Sequence, residues 1–325
     1  MLDVTAIGEL LIDFTPSGEN AQGTALFARN PGGAPANVLA ANSRLGGKTA
    51  FIGKVGKDGF GEFLKQTLMD NQIDSSGLIM TSEFPTTLAF VQLNEQGDRS
   101  FSFYRKPGAD IMLTSQELKS DLLKNTSILH FGSVSLTDEP SRSATLEAVK
   151  IAKANGAIIS YDPNYRPLLW EHADDAKTQM AVGLALADIV KVSEEEMVML
   201  TGETDLMQGS LLLAKEGAAL VLVSLGAKGA FYRRGDLYGR LPTYDVKTID
   251  TNGAGDSFLG AVHYRLRGKQ LSEIRAIPKE ELEDILSFAN AAGALTTTKS
   301  GAIPAMPCLD EIFTCLRTTP LLRAD

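Results

Sequence analysis

The hydrophobic positions alternate along the chain between short apolar runs and longer segments with helical periodicity. Runs such as "AIIS" (157–160) and "LVLVS" (220–224) are continuously apolar, which is typical of parallel strands covered on both faces. Segments such as "APANVLAANSRLGG" (34–47) and "PSRSATLEAVKIAKANG" (140–156) carry apolar residues at helical spacing and end at glycines. This alternation predicts an α/β fold with a mostly parallel sheet.

One region departs from the strand-then-helix order. The segment "TLAFVQLNEQGDRSFSFYRKPGAD" (87–110) is predicted to form two strands joined at residues 95–98, with no helix between them. Together with residues near 15–30, it would form a small antiparallel sheet that projects from the main body. Such a sheet is expected to serve as a lid, as a dimer surface, or as both.

Composition and charge narrow the function classes. The chain has 325 residues, of which 44% are hydrophobic, and its net charge is −9. The negative charge argues against nucleic acid or an acidic membrane as a bulk electrostatic partner. The two cysteines do not form a disulfide framework, and the N-terminus "MLDVTAIGELLIDF" lacks the basic start of a signal peptide. We therefore expect a cytoplasmic protein.

The stretch "DTNGAGDSFLG" (250–260) is the strongest candidate for chemistry. An apolar pattern at helical spacing follows it, so Gly253, Ala254 and Gly255 are predicted to lie at a helix N-terminus, where unpaired N–H groups favour an anion. Asp256 would stand directly beside that anion. This position suits a carboxylate that acts on the group with which the anion reacts. A tight strand-to-helix turn with no ligand is the structural alternative.

Three further segments combine polar residues with predicted turns. Gly32 and Gly33 would allow close backbone approach to a ligand, and Asn37 could bind hydroxyls, although a turn entering a helix explains them equally well. The segment "YDPNYRPLLW" (161–170) ends a strand, where ligands gather in α/β sheets, or it forms a surface turn. "KVSEEEM" (191–197) is most simply the acidic first turn of a helix.

Two single residues leave alternatives open, because Asp13 could cap a helix or bind a hydroxyl, and Arg105 could bind a ligand or remain solvated.

These segments, in this order, resemble the ribokinase-like (PfkB) carbohydrate kinases. The similarity lies in "DTNGAGDSFLGA" near the C-terminus and "GGAPANVLAANSRLGGKTAFIGKVGKDGFG" near the N-terminus, and it runs from about residue 3 to about residue 307. Within the family, "GELLIDF", "PGGAPANVLAA", "FYRKPGAD" and "YDPNYRPLLW" are most similar to fructokinases. The resemblance implies a three-layer α/β/α core formed by residues 1–13, 31–84 and 111–325. Residues 14–30 and 85–110 would form a β lid.

The resemblance also implies a role for individual residues. Asp256 matches the catalytic base, and Gly253, Ala254 and Gly255 match the anion hole for the transferring phosphoryl group. The positions that match sugar-binding residues are Asp13, Gly32, Gly33, Asn37, Phe103, Arg105 and Asn164, with Arg166 near the phosphates. The positions that match the nucleotide site are Lys191, Ser193, Ser224, Gly226, Gly229 and Asn290. The positions that match metal sites are Glu196, for Mg²⁺ through water, and Asp250, Asn252 and Gly301, for a monovalent cation.

Two residues depart from the family pattern. Ser193 stands where the family's Asn-x-x-Glu segment has Asn, which puts the detail of that segment in doubt, and Asn252 stands where Thr or Gly is common.

The activity implied is transfer of phosphate from ATP to the primary hydroxyl of a ketose, with D-fructose giving fructose 6-phosphate. Mg²⁺ and K⁺ are the implied ions, and a homodimer through the lid is the implied assembly. A 2-keto-3-deoxygluconate kinase and a catalytically inactive regulatory protein on the same fold stay open as alternatives.

Overall fold

Strands and helices alternate along most of the chain in the computed structural model. The structure describes residues 1–93 and 99–322, and for residues 92, 93 and 99–101 it describes the backbone alone. The strands are β1 (Leu2–Ile7), β2 (Leu11–Glu19), β3 (Ala25–Gly32), β4 (Thr49–Gly56), β5 (Ile73–Thr81), β6 (Leu88–Leu93), β7 (Arg99–Tyr104), β8 (Thr126–Gly132), β9 (Ile158–Asp162), β10 (Ile189–Ser193), β11 (Leu220–Ser224), β12 (Ala230–Arg234) and β13 (Leu237–Leu241). The helices are α1 (Ala34–Arg44), α2 (Gly59–Asp70), α3 (Ser120–Lys124), α4 (Ser141–Ala154), α5 (Ala173–Leu186), α6 (Glu194–Thr201), α7 (Leu206–Lys215), α8 (Ala254–Leu266), α9 (Leu271–Ala276), α10 (Lys279–Thr296) and α11 (Leu309–Thr318).

The larger sheet has the strand order β13-β12-β11-β10-β9-β8-β1-β4-β5. Neighbouring strands from β11 to β5 are parallel, whereas β12 and β13 add an antiparallel hairpin at one edge. The predicted mostly parallel sheet is confirmed. The edge hairpin was not predicted, because its polar outer residues give only a weak periodic signal in the sequence.

Both faces of this sheet are covered by helices, which accounts for the continuously apolar strands. Successive residues of a strand point to opposite faces, so Leu222 packs into one buried cluster and Val223 into the other. Helices α1, α8 and α10 contribute to the first cluster, and α4, α5, α6 and α7 contribute to the second. The result is the expected three-layer arrangement. In the described part of the chain, no helix has the length and apolar character needed to cross a membrane.

A second, four-stranded sheet has the order β3-β2-β6-β7 and is formed by the segments predicted to be a lid. Its outer pairs are antiparallel, but β2 and β6 pair in parallel, from Ile12 opposite Leu88 to Phe14 opposite Phe90. A parallel pair needs a long connection, and here residues 33–87 run through the larger sheet between the two hairpins. The predicted joint at Glu95, Gln96, Gly97 and Asp98 lies outside the described residues, and the division into core and lid stays a prediction.

The carboxyl ends of several parallel strands meet at one edge of the larger sheet. Gly132 at the end of β8 pairs with Asp162 at the end of β9, and Ser193 of β10 pairs with Ser224 of β11. Ligands of open α/β sheets bind at this edge. The topology therefore brings segments that are far apart in sequence to one region.

Candidate active site

The turn before α8 presents backbone N–H groups and a carboxylate together. Gly253 is the N-cap of α8 with φ of +74°, a left-handed conformation that favours glycine, and a Cβ there would lie 2.7 Å from the Cβ of Ala302. Asp256 follows in the first turn of the helix and is buried. The helix begins at Ala254, as the sequence predicted. A helix N-terminus with an adjacent acid is thus present, and anion binding there stays a prediction.

Asp256 is held by amides from two other elements. Asn37 of α1 donates to Oδ2 at 2.8 Å, and Asn164, after β9, donates to Oδ1 at 3.4 Å. Burial raises the pKa of Asp256, while Lys191, the hydrogen bond from Asn37 and Arg166 oppose that rise. The carboxylate is therefore oriented from both sides, and its basicity is increased by its surroundings.

Asp256 opens into a cavity of about 100 Å³ that also collects most of the predicted sugar-binding residues. The cavity is lined by the predicted positions Asp13, Gly33, Asn37, Phe103, Asn164, Arg166, Asn252, Gly253 and Asp256. It is also lined by residues that sequence reasoning missed, namely Glu9, Leu11, Ala34, Val91, Val134, Leu169 and Ala302. Glu9 carries a sequence signal of its own, because it is an acid within the otherwise apolar stretch "AIGELLI".

The glycine pair at the end of β3 allows the backbone to pass close to two acids. A Cβ on Gly32 would overlap the Asp13 carboxylate, and a Cβ on Gly33, where φ is +115°, would overlap the Glu9 carbonyl oxygen. Gly32 itself does not line the cavity, so its part in the site is to make room for Asp13. Burial raises the pKa of Asp13 to about 6, and the nearby Asp256 adds to the rise while Arg166 opposes it.

Arg105 does not line this cavity. Its guanidinium group is buried and is engaged by Asp110 at 2.7 Å, by the Thr137 hydroxyl at 2.8 Å and by the Val134 carbonyl at 3.0 Å. These contacts tie the end of β7 to the segment after β8. The structure therefore does not bring Arg105 to the sugar-side cavity, and its contact with a sugar stays a prediction.

A second, larger cavity of about 390 Å³ lies on the other side of the same turn. It is lined by the predicted nucleotide residues Ser224, Gly226, Gly229 and Asn290, and by Ala254 and Gly255 of the anion-binding turn. Tyr244, Val246 and Phe258 give it an apolar wall. Asn290 donates to the Pro242 carbonyl at 3.0 Å. The two cavities thus meet at residues 251–256.

Lys191 and Ser193 match nucleotide-site positions of the family, but they line neither cavity. Lys191 forms a buried ion pair with Asp162 at 2.8 Å, and a Cβ on Gly255 would lie 3.0 Å from its Nζ. Burial lowers the pKa of Lys191, but attraction to Asp162 and Glu196 outweighs it, so the pKa is raised and the cation persists. Ser193 caps α6 by accepting the N–H of Glu196.

Glu196 joins two loops of the site. Its Oε1 accepts the N–H of Tyr165 at 2.6 Å, and its Oε2 accepts the N–H of Ser193 at 2.7 Å. Within residues 1–93 and 99–322, no group of three or more His, Cys, Asp or Glu side chains could hold a metal ion. The water-mediated contact of Glu196 with Mg²⁺ stays a prediction.

Asp250 closes the loop predicted to bind a monovalent cation. Its Oδ1 accepts the N–H of Asn252, and its Oδ2 accepts the N–H of Gly301, each at 3.0 Å. Gly301 has φ of +86°, which suits a glycine. The three predicted residues are thus brought together in one structure beside the anion-binding turn.

Comparison with known proteins places the whole chain in a family. The profile of "pfkB family carbohydrate kinase" matches residues 1–308. Fructokinase-1 from Zea mays is 45% identical over 313 residues, covering 95% of this chain and 96% of the relative. A crystal structure of fructokinase from Xylella fastidiosa with bound ATP superposes with a TM-score of 0.91 at 34% identity, covering 98% of this chain and 99% of that one.

A double-mutant fructokinase from Vibrio cholerae O395, with fructose, ADP and a potassium ion bound, superposes with a TM-score of 0.87 at 37% identity, covering 96% of this chain and 97% of that one. The family profile spans nearly the whole chain and includes every residue that lines the two cavities except Leu322. The fold of the chain is therefore the ribokinase-like fold, and the chain belongs to the pfkB family of carbohydrate kinases.

Proposed function

We propose that the protein is a fructokinase, which transfers the γ-phosphoryl group of ATP to the primary hydroxyl of D-fructose and gives fructose 6-phosphate. One observation carries the proposal: the turn at residues 251–256 lines both cavities, with Asp256 on one side and Ala254 and Gly255 on the other. A sugar hydroxyl and a terminal phosphate would therefore meet at one point. The similarity to fructokinases over nearly the full chain supports fructose as the sugar.

The chemistry follows from the residues at the turn. Asp256 accepts the proton of the sugar hydroxyl, while Asn37 and Asn164 hold its carboxylate in position. The N–H groups that begin α8 stabilise negative charge on the phosphoryl oxygens. Lys191, Arg166 and the metal ion that accompanies ATP offset the repulsion between phosphate and carboxylate. Positioning and charge stabilisation supply most of the rate enhancement in such transfers.

The cofactor proposal is ATP with Mg²⁺, together with K⁺. The apolar wall and polar edge of the larger cavity suit a nucleotide, and Glu196 suits a water-mediated contact to Mg²⁺. The loop of Asp250, Asn252 and Gly301 suits a monovalent cation, and a fructokinase similar in structure has bound potassium. When bound, Mg²⁺ neutralises charge on the phosphates.

The experiment is a measurement of ADP release with ATP–Mg²⁺ and a panel of acceptors: D-fructose, 2-keto-3-deoxygluconate, ribose, glucose and adenosine. Selective turnover of fructose is expected. Turnover with the keto acid alone would make the protein a 2-keto-3-deoxygluconate kinase. ATP binding without turnover of any acceptor would support a catalytically inactive protein on the same fold.

We also propose that two copies pair through the lid. The four-stranded sheet exposes Leu26 and Phe27, each 43% exposed, and Tyr104, which is 66% exposed. Phe27 and Tyr104 both contact Phe90, at 5.8 and 5.6 Å between ring centroids, so these residues form one aromatic cluster. Burial of such a cluster against a second copy would remove apolar surface from water.

The assembly is tested by light scattering on Phe27→Ser/Tyr104→Ser and on Met69→Ser, a control at a residue of α2 that is 53% exposed. We expect a dimer for wild type and the control and a monomer for the double variant. A monomeric wild type at micromolar concentration would overturn this assembly.

A further inference from the structure

Glu9 lines the sugar-side cavity, and one of its two carboxylate oxygens is buried without a hydrogen-bond partner among the described residues. The side chain follows β1, the residue is only 5% exposed, and it lines the cavity with Asp13, Asn37 and Asp256. Its Oε1 accepts the N–H of Ala34 at 3.0 Å. Among the described residues, its Oε2 has no hydrogen-bond partner, and the same is true of Oδ1 of Asn37 in the same cavity.

A purely structural role would account for one of the two carboxylate oxygens and not for the other. The bond from Ala34 fixes the start of α1 after the glycine pair, and one acceptor oxygen is enough for it. A buried polar atom left without a partner destabilises the folded state, because it loses its hydrogen bonds to water and gains none in return. Burial also raises the pKa of Glu9 to about 7, while the N–H groups of Glu9 itself and of Ala34 oppose the rise. A partner supplied by a ligand would remove the cost at Oε2.

The charge of the cavity restricts what that ligand is. Its lining includes the acids Glu9, Asp13 and Asp256, and one basic side chain, Arg166, which is exposed. A ligand carboxylate would face three carboxyl groups and would be repelled by those that are ionised. A neutral polyol would instead satisfy Oε2 and the Asn37 oxygen through its hydroxyl groups.

We propose that Glu9 is a specificity-determining residue whose Oε2 binds a hydroxyl of a neutral sugar, other than the hydroxyl that is phosphorylated, and which disfavours acidic sugars. This deepens the proposed function and rests on it for the identity of the reaction. Glu9 does not exchange a proton with the reacting atoms, so its contribution is to substrate affinity and not to the chemical step.

The test compares Glu9→Gln with wild type. Gln keeps an oxygen for the Ala34 N–H but changes the second polar atom. We expect the KM for D-fructose to rise about tenfold, which corresponds to about 1.4 kcal/mol, with the KM for ATP changed less than about twofold. Asp188→Asn is the matched control, because Asp188 is a buried acid that accepts the N–H of Ile159 and does not line the cavity.

Monodeoxy fructoses identify the contact directly. We expect one analogue, lacking a hydroxyl other than the reacting one, to lose about tenfold in kcat/KM with wild type and nothing further with Glu9→Gln. Additive losses for every analogue, or equal increases in both KM values, would overturn the proposal.

Fructose binding without ATP, measured as a rise in Tm, separates this proposal from the proposed function. If fructose raises the Tm of wild type without being phosphorylated, the fructokinase activity fails, and the same comparison between Glu9→Gln and wild type still decides the role of Glu9. If only the keto acid binds, selection for a neutral sugar is wrong.

Discussion

At the scale of single residues, the chemistry depends on how Asp256 is held. Two amides, from α1 and from the loop after β9, each donate to one of its oxygens. The proposed base therefore has a fixed orientation before any ligand arrives, and its protonation is sensitive to the bond from Asn37. Catalysis by a positioned group needs this degree of order.

Asp256→Asn removes the proton acceptor and keeps the shape of the side chain. We expect kcat to fall by at least about 100-fold, because general-base assistance contributes about 10²–10⁴-fold in enzymes. ATP should still raise the Tm, since the nucleotide-side cavity is lined by other residues. A kcat within a few-fold of wild type would exclude Asp256 as the base.

Asn37→Ala should change the pH dependence of kcat. The bond from Asn37 stabilises the ionised form of Asp256 and lowers its pKa, so removing it raises that pKa and moves the acid limb of the profile to higher pH. Ser43→Ala is the control on the same helix, because Ser43 donates to the Asn71 carbonyl and not to Asp256. An unmoved acid limb in Asn37→Ala would contradict the assignment.

The sequence identifies most of these residues but not all of their contacts. Asp256, Asn37 and Asn164 could be predicted because they lie in segments that resemble the family. Glu9 was missed, since its importance depends on burial and on an oxygen without a partner, which no spacing reveals. Arg105 was predicted to bind the sugar, and that contact stays a prediction. The three groups that its guanidinium contacts, on Asp110, Thr137 and Val134, are set by tertiary packing and could not be predicted.

At the scale of elements, α1 and α8 both contribute residues to the proposed sugar-binding site. Gly260 of α8 lets the helices approach closely, because a Cβ there would lie 2.5 Å from the Val38 carbonyl oxygen and 2.7 Å from the Ala41 Cβ. Asn42 of α1 donates to the Gly260 carbonyl at 3.2 Å. The distance between Asn37 and Asp256 therefore depends on this contact between helices.

Gly260→Ala should force the two helices apart. We expect a loss of about 1–3 kcal/mol in the free energy of unfolding, as for other overpacked cores, together with a lower kcat. Gly59→Ala is the control, since a Cβ at Gly59 meets nothing within 4 Å. Equal thermal unfolding of the two variants would show that the close approach is not needed.

The periodic patterns predicted β9 and β11 from continuously apolar runs, and α1 and α4 from apolar residues at helical spacing. They could not predict that β2 and β6 pair in parallel, because pairing depends on which hairpins meet after a long connection. The β12–β13 hairpin was missed for a different reason. Its edge strand, β13, is half exposed and carries little of the hydrophobic pattern on which the prediction depends.

At the scale of the whole molecule, the two cavities open on opposite sides of one turn. We therefore expect each ligand to bind without the other. We also expect the phosphoryl group to pass directly from ATP to the sugar. Direct transfer needs no covalent intermediate on the protein. The fold, confirmed as three layers with a second small sheet, is what allows a single turn to border both cavities.

Initial-rate kinetics should reflect this arrangement. We expect intersecting lines when fructose and ATP are varied together, and each ligand alone should raise the Tm. Parallel lines would instead indicate a phosphorylated enzyme intermediate. The measurement needs no variant, so a failure to fold cannot confuse it.

The position of residues 251–256 beside both cavities has a consequence for inhibitor design. A single molecule that joins a ketose to adenosine through a phosphate chain would cross the turn and occupy both cavities. Once one end had bound, the other would be present at an effective concentration in the millimolar range, set by the length of the linker. Because the linker must follow the path of the transferred group, the tightest compound in a series would measure the distance between the reactants.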